Sequence, residues 1–281
     1  MLPTVQDKGP NKKGGNTTSI RDEDLQGILI CCPSPKDTAE QLVRSAIRAS
    51  EARTFLAAIH FQITIDANVR YLTCEMTRFM ILHQFSVYLT SVIAASEQVQ
   101  NDYDRNVALR LQITAYSQFW ECLAVQRLLL QLCQIAGGSI FDSTLLLGDR
   151  RPKVPQVFES IVALASRSNL KIESLVGATY WPQIRNAISH SELWLAPEVG
   201  WITFENYDAS KRRHIPSIQT STWDSLFKVT TDFISHLFRV RRELEARLDG
   251  LAPYRIDLPE FRGPFVLSRD HRGYWQAKPC D

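Results

Sequence analysis

The chain has 281 residues, of which 44% are hydrophobic and 22% are charged, a balance typical of a globular protein with a sizeable core. Its formal net charge of +2 produces no global field of the kind that marks a dedicated nucleic-acid or membrane-surface binder. Any contact with an anionic partner must therefore be local.

The cysteines predict neither a metal site nor a disulfide framework. The six of them form no Cys-x-x-Cys pair, and no histidine follows them at a finger-like interval. We therefore expect buried free thiols, no metal ion and no cofactor. The first residues lack an apolar signal segment, which favours a cytoplasmic location.

The N-terminal part of the chain divides into a tail and the start of a helical domain. Residues 1–33 are rich in Gly, Asn, Asp and Lys at first and lack periodicity, which predicts a flexible tail. Residues 34–248 are predicted to form the helical domain. Three long helices are expected first, from Asp37 to about Ile59, from Asn68 to about Gln98, and from Asn106 to about Ile135 before the stop at Gly137.

The segment 79–96 carries no formal charge, and its length is close to the ~18 residues that a membrane span requires. Its polar residues, among them His83, Gln84 and Thr90, make it a poor spanning segment. We interpret it as a buried core helix and expect no membrane association, although a small membrane-associated protein is a third alternative for the chain.

The second half of the chain has shorter predicted elements. A helix is expected from Pro155 to about Ser166, and Pro182 opens a short helix that ends just after His190. The stretch LWLAPEVGWITFENY then changes to a β-like period around a Pro-Glu-Val-Gly turn, which predicts a β-hairpin. Thr222 is expected to cap a last long amphipathic helix. Residues 249–281 contain four prolines and predict an irregular tail.

The short helix carries Arg185, Asn186 and His190 among apolar residues. Arg185 and His190 lie about 140° apart on an ideal helix, whereas Asn186 and His190 share a face. An imidazole exchanges protons near neutral pH, and a permanently charged guanidinium suits a phosphate oxygen. This pair favours metal-free phosphodiester chemistry in which the 2′-hydroxyl of RNA attacks the adjacent phosphorus.

The stretch RNAISH, from Arg185 to His190, resembles the R-N-x-x-x-H form of the R-x4-6-H motif of the HEPN superfamily. Its context is similar too, with a Trp-Pro-x-Ile lead-in, a hairpin-like excursion and a closing amphipathic helix, so that the likeness covers roughly residues 155–248. The resemblance implies a mainly α, HEPN-like antiparallel helical bundle with a small β-hairpin between the motif helix and the last long helix.

The resemblance also implies a function. HEPN domains dimerise so that two motifs face one cleft, and many are metal-independent endoribonucleases of toxin, phage-defence or stress systems. Carried over to this chain, the resemblance implies that Arg185 and His190 are catalytic and that Asn186 supports them. The implied partners are an RNA substrate, a second copy of the chain and, in a toxin setting, an antitoxin or another regulatory protein. Some HEPN-like domains are non-catalytic binding or dimerisation modules, and this alternative stays open.

Basic residues outside the motif give a weaker signal for RNA binding. These residues, in two predicted loops, are Lys211, Arg212, Arg213, Arg150 and Arg151, with Lys153 close by. They could contact RNA phosphates beside the cleft. Solvated surface loops are the favoured explanation of such charges.

Overall fold

The computed structural model describes residues 18–49, 84, 102–138, 153–190, 192–196, 200–204, 213–215, 217–249, 253–256, 264–269, 271 and 275–280. Over these residues the chain is mainly helical, as the sequence predicts. The helices are α1 (Asp22–Ile30), α2 (Pro35–Ala49), α3 (Asp102–Glu121), α4 (Leu123–Ala136), α5 (Val154–Arg167), α6 (Ile172–Thr179), α7 (Pro182–Ser189) and α8 (Thr220–Asp249).

Within the described part of the chain, short strands form three small sheets. The strands are β1 (Thr18–Ser19), β2 (Leu193–Ala196), β3 (Trp201–Phe204), β4 (Arg213–His214), β5 (Ser217–Gln219), β6 (Tyr254–Ile256), β7 (Phe265–Arg269) and β8 (Trp275–Pro279). Strands β2, β3 and β5 form one antiparallel sheet, β6, β7 and β8 form another, and β1 pairs with β4 in parallel. The predicted hairpin is confirmed as β2–β3, and Gly200 precedes β3 with a φ of +75°, which favours glycine.

The core lies between the helices. Helix α2 packs against α4 and α8, α4 packs against α5, and α5 packs against α6. The apolar stripe predicted for the last helix is buried at Trp223, Leu226, Phe227, Phe233, Ile234, Leu237 and Phe238. This burial confirms the prediction that α8 is amphipathic. The helix begins at Thr220, two residues before the predicted cap.

The predicted tail 1–33 is wrong for its last part, because β1 and α1 lie within it. Leu25 and Leu29 of α1 are buried, and the helix contacts α6, α8 and β5. This apolar stripe is too short to produce a visible period in the sequence. Tertiary hydrogen bonds hold the helix instead: the Gln26 amide donates to the Thr222 hydroxyl at 2.8 Å, and the Gln219 backbone N–H donates to the Asp22 carboxylate at 2.9 Å.

The helix predicted from Asn106 to Ile135 is two helices, because the chain breaks at Cys122 between α3 and α4. The buried Gln126 side chain donates to the Trp120 carbonyl at 2.8 Å and so supplies a partner at the end of α3. The predicted stop is confirmed, since Gly137 caps α4. The break leaves Glu121 as the last residue of α3.

The predicted irregular tail 249–281 is also wrong in part, because it contains β6, β7 and β8. Residues 50–83 and 85–101, with most of the helix expected from Asn68 and of the apolar segment 79–96, lie outside the described residues. Within the described part of the chain, no helix is both long and apolar enough to cross a bilayer.

Candidate functional site

Helix α7 begins at Pro182, as the sequence predicts, and ends at Ser189, slightly before the predicted end. Pro182 takes its first position, where the missing N–H has no intrahelical partner to lose. His190 caps its other end, and the His190 backbone N–H donates to the Asn186 carbonyl at 3.0 Å. Ile184 and Ala187 are fully buried and hold one face of α7 in the core.

A buried glutamine bonds α7 to the chain between β4 and β5. The Gln183 side chain donates to the Ile215 carbonyl at 2.8 Å and accepts the Ile215 N–H at 2.7 Å. Both residues are buried, so each bond satisfies a backbone group that water cannot reach. Gln183 therefore helps to fix the rotation of α7 about its axis, together with the buried Ile184 and Ala187.

The entry into α7 is fixed from α3. The buried Tyr116 hydroxyl donates to the Thr179 carbonyl at 2.7 Å and accepts the Trp181 backbone N–H at 3.1 Å. The Trp181 indole donates to the Ala178 carbonyl at 2.8 Å. The chain between α6 and α7 is thus bonded to α3 immediately before the motif.

Arg185 is the centre of a polar cluster that we call the Arg185 cluster, formed by Arg185, Asn186, Ser189 and Glu121. Arg185 Nε donates to Glu121 Oε1 at 2.8 Å, and Arg185 Nη1 donates to Asn186 Oδ1 at 3.0 Å. The Ser189 hydroxyl contacts the same Glu121 oxygen at 3.4 Å. The side chains of Arg185 and Glu121 are 24% and 27% exposed, so the ion pair is largely shielded from water.

Glu121 is the member of this cluster that sequence reasoning missed. It precedes Arg185 by 64 positions, and only the packing of α3 on α7 brings the two together. One signal was present: Glu121 is the sole formal charge between Arg110 and Arg127, in an otherwise uncharged stretch. A lone charge in such a run is expected to have a partner.

His190 stands apart from the cluster. Its side chain is exposed, and among the described contacts no hydrogen bond or ion pair joins it to Arg185 or Asn186. Arg185 and His190 are five positions apart, which separates them by roughly 7.5 Å along the helix axis as well as by angle. The structure therefore joins Arg185 with Asn186 and leaves His190 open to solvent at the end of α7.

Of the basic residues predicted to contact RNA, the structure describes only two. Lys153 is exposed at the cap of α5, and Arg213 lies in β4. Lys211, Arg212, Arg150 and Arg151 lie outside the described residues. Across the described ranges, no group of three or more His, Cys, Asp or Glu side chains is arranged to hold a metal ion.

A cavity of about 500 Å³ adjoins the motif, between α5, α6 and the first turn of α7. Phe158 and Tyr180 lie in its wall with ring centroids 4.2 Å apart and planes tilted by 31°. Asn186 from the motif and Glu159 from α5 also line it. Asn186 therefore belongs both to the cavity wall and to the Arg185 cluster.

The Tyr180 hydroxyl is buried and has no hydrogen-bond partner among the described residues. Burial raises the pKa of Tyr180, the charge of Arg185 opposes this rise, and the carboxylates of Glu159 and Glu121 add to it. The hydroxyl is therefore neutral at ordinary pH and lies within the influence of three charges, two of which belong to the Arg185 cluster.

The hairpin after the motif presents two tryptophans to solvent. Trp194 of β2 is 65% exposed and Trp201 of β3 is 36% exposed. Trp194 pairs with Thr203, and Trp201 pairs with Ala196, so both rings lie on the same face of the sheet. The alternation of side chains in LWLA and WITF is the sequence signal for these exposed positions. Ile202 and Phe204 point to the opposite, buried face.

No protein-family model matches the chain, and searches of curated proteins and of solved structures likewise found no match.

Proposed function

We propose that the protein is a HEPN-like, metal-independent endoribonuclease that acts as a homodimer. One observation carries the proposal: α7 holds a guanidinium fixed by two partners, Glu121 and Asn186, and exposes an imidazole, that of His190, at its end. A fixed cation and an exposed proton carrier are the two groups that RNA cleavage by its own 2′-hydroxyl requires.

Arg185 is the phosphate-binding group in this proposal. A guanidinium has five N–H donors, and its contacts with Glu121 and Asn186 use two of them. The remaining donors suit the non-bridging oxygens of a phosphodiester, which gain negative charge as the 2′-oxygen attacks. Glu121 and Asn186 act as positioning residues because they fix the plane of the guanidinium before the substrate binds.

His190 is the proton carrier. One imidazole removes the proton of the 2′-hydroxyl as the 2′-oxygen bonds to phosphorus, and a protonated imidazole gives a proton to the 5′-oxygen as the P–O bond breaks. The products are a 2′,3′-cyclic phosphate and a free 5′-hydroxyl. A two-fold axis supplies a second His190, so that one copy serves as base and the other as acid. This division also explains why Arg185 and His190 need not touch within one chain.

The exposed tryptophans support RNA as the substrate. Strand β2 begins three residues after His190, so Trp194 lies close to the proposed centre along the chain. Unpaired bases stack on exposed aromatic rings, and this mode of binding is typical of single-stranded RNA. We infer that Trp194 and Trp201 hold bases that flank the cleaved bond.

The alternative is a non-catalytic HEPN-like binding or dimerisation module. The ion pair between Arg185 and Glu121 favours it, because a matched pair that joins α3 to α7 is also what a purely structural network contains. The two functions differ in one measurable respect: removing His190 abolishes RNA cleavage in the first and leaves no nuclease rate to change in the second.

The test is incubation of the purified full chain with total RNA and transfer RNA in EDTA. We expect cleavage that leaves 2′,3′-cyclic phosphate, and a loss of at least about 100-fold in Arg185→Ala and in His190→Ala. Arg167→Ala and His271→Ala are matched controls, since each removes an exposed residue of the same type elsewhere, and both should cleave like the parent. Equal cleavage by all five proteins would overturn the proposal, and cleavage by none would favour the binding module.

A further inference from the structure

Strand β2 is an edge of the sheet that follows the motif. The strand order in this sheet is β2, β3, β5, so β2 pairs with β3 on one side and has no neighbouring strand on the other among the described residues. The outer N–H and C=O groups of an edge strand can pair with an added strand of another chain. Leu193 and Leu195 of β2 are only half-buried, so part of each apolar side chain is accessible at this edge.

The outward face of the sheet beside this edge is suited to cationic side chains. Tryptophan is the aromatic residue whose ring face attracts Lys and Arg most strongly. Trp194 is the most exposed aromatic residue of the hairpin, and Trp201 lies diagonal to it on β3. Diagonal neighbours on antiparallel strands are roughly 7–8 Å apart, so one long side chain can reach both rings.

The formal charges of the hairpin segment have one sign. Residues 191–208, which contain β2 and β3, include four acidic residues and no basic one. Glu192, immediately before β2, is exposed, and its carboxylate has no hydrogen bond or ion pair among the described residues. It precedes Trp194 by two positions, so in extended chain the two side chains lie on the same side. The surface therefore complements a positively charged partner and repels an acidic one.

We propose that β2 binds an extended basic segment of another protein, which adds to the sheet as a further strand beside β2. Side chains directly opposite each other on neighbouring strands share a face. The partner residues opposite Glu192 and Trp194 are therefore two positions apart and cationic. Arginine suits both places, because a guanidinium stacks on an indole ring and also bonds to a carboxylate. The alternate partner residues face Leu193 and Leu195 and are apolar, so the recognised pattern alternates basic and apolar residues.

The added strand would inhibit the proposed ribonuclease. It covers Trp194, whose ring is proposed to stack a base, and β2 begins only three residues after His190. Cationic side chains and unpaired bases use the same ring faces, so the basic segment and RNA compete for this surface. The inhibitory role rests on the proposed function, whereas the binding of the segment does not.

The binding experiment uses two synthetic peptides of equal composition and charge, titrated into the full chain by calorimetry. One alternates arginine and valine, and the other has the same residues in one arginine block and one valine block. We expect the alternating peptide to bind at least about tenfold more tightly, because only it places every arginine on the Trp194 side. Trp194→Ala should lower its affinity by about tenfold. Ile30→Ala is the matched control, since Ile30 is an exposed apolar residue of α1, and it should bind like the parent.

A second measurement separates strand addition from attraction between charges alone. Hydrogen exchange of the backbone amides of residues 193–196 should slow when the alternating peptide binds, because the outer N–H groups of β2 become bonded. Glu192→Gln should lower the affinity by about threefold. Equal affinity of the parent for the two peptides, or unchanged exchange in β2, would overturn the proposal.

RNA cleavage in the presence of the alternating peptide distinguishes this proposal from the proposed function. We expect the peptide to inhibit cleavage, and peptide binding that leaves cleavage unchanged would overturn the inhibitory role. Peptide binding to β2 in a chain that cleaves no RNA would keep the partner surface and remove the nuclease. Cleavage by a chain that binds neither peptide would keep the nuclease and remove the partner surface.

Discussion

Two tyrosines at the entry to α7 differ in the bonding of their hydroxyl groups. The Tyr116 hydroxyl bonds to the backbone on both sides of the connection between α6 and α7, whereas the Tyr180 hydroxyl, inside that connection, has no partner among the described residues. Both rings contact Trp120 edge-on, so their apolar surroundings are alike. The difference separates two roles: Tyr116 stabilises the entry to α7, whereas the Tyr180 hydroxyl is buried with no partner among the described residues.

The largest stability effect is expected from Tyr116→Phe. The substitution keeps the ring but leaves the Thr179 carbonyl and the Trp181 N–H buried and unpaired. We expect a loss of about 2 kcal/mol in the free energy of unfolding, measured by urea denaturation. Stability equal to that of the parent would show that Tyr116 does not hold the entry to α7.

The matched change Tyr180→Phe should have a smaller effect of opposite sign. It removes a buried hydroxyl that gains no bond in the folded chain, so the free energy of unfolding should stay constant or rise by up to about 1 kcal/mol. The same urea series measures it. A loss as large as that of Tyr116→Phe would mean that the two hydroxyls are equally bonded, and the comparison would fail.

The difference between these two variants should not depend on pH near neutrality. Burial raises the pKa of both tyrosines, so neither hydroxyl ionises in the folded chain at ordinary pH. In the unfolded chain tyrosine ionises only near pH 10, and the tyrosine contribution to stability should therefore decline only above about that pH. Unfolding series at about pH 6 and about pH 9 should give the same difference, and a change between them would contradict these pKa directions.

The smallest effect is expected at His236 in α8. Burial and the charges of Arg239 and Lys36 lower the pKa of His236, and Asp232 and Glu40 only partly oppose them. The unfolded chain therefore binds a proton more readily, so this contribution to stability is present above about pH 6.5 and is lost as pH falls below it. His236→Gln should flatten the acid side of a plot of unfolding temperature against pH. An unchanged slope of unfolding temperature against pH would contradict the lowered pKa of His236.

The elements that the sequence predicted well have local signals at their ends. Pro182 and the polar segment after Ile188 mark α7, and Gly137 marks the end of α4. The elements it missed depend on distant partners. Helix α1 is held by contacts with α6, α8 and β5, and the break at Cys122 is compensated by a side chain in the next helix. No window of neighbouring residues contains that information.

The candidate site divides in the same way. Arg185, Asn186 and His190 lie within six consecutive residues, so a short motif was enough to select them. Glu121 and the cavity around Tyr180 are products of packing between helices that are far apart in the chain. Which hydroxyl remains unpaired depends on how the whole core packs. The HEPN-like bundle and its dimer also depend on contacts between distant residues, and both remain proposals.

The hydrogen bonds of α1 have a consequence for the order of folding during synthesis. They join Gln26 to Thr222 and Asp22 to Gln219, pairs that are 196 and 197 positions apart. A ribosome adds roughly 5–20 residues per second, so α1 waits on the order of ten seconds or longer for these partners. During that interval Leu25 and Leu29 have no β5 or α8 to cover them, and the nascent chain offers a short apolar helix that a chaperone can bind.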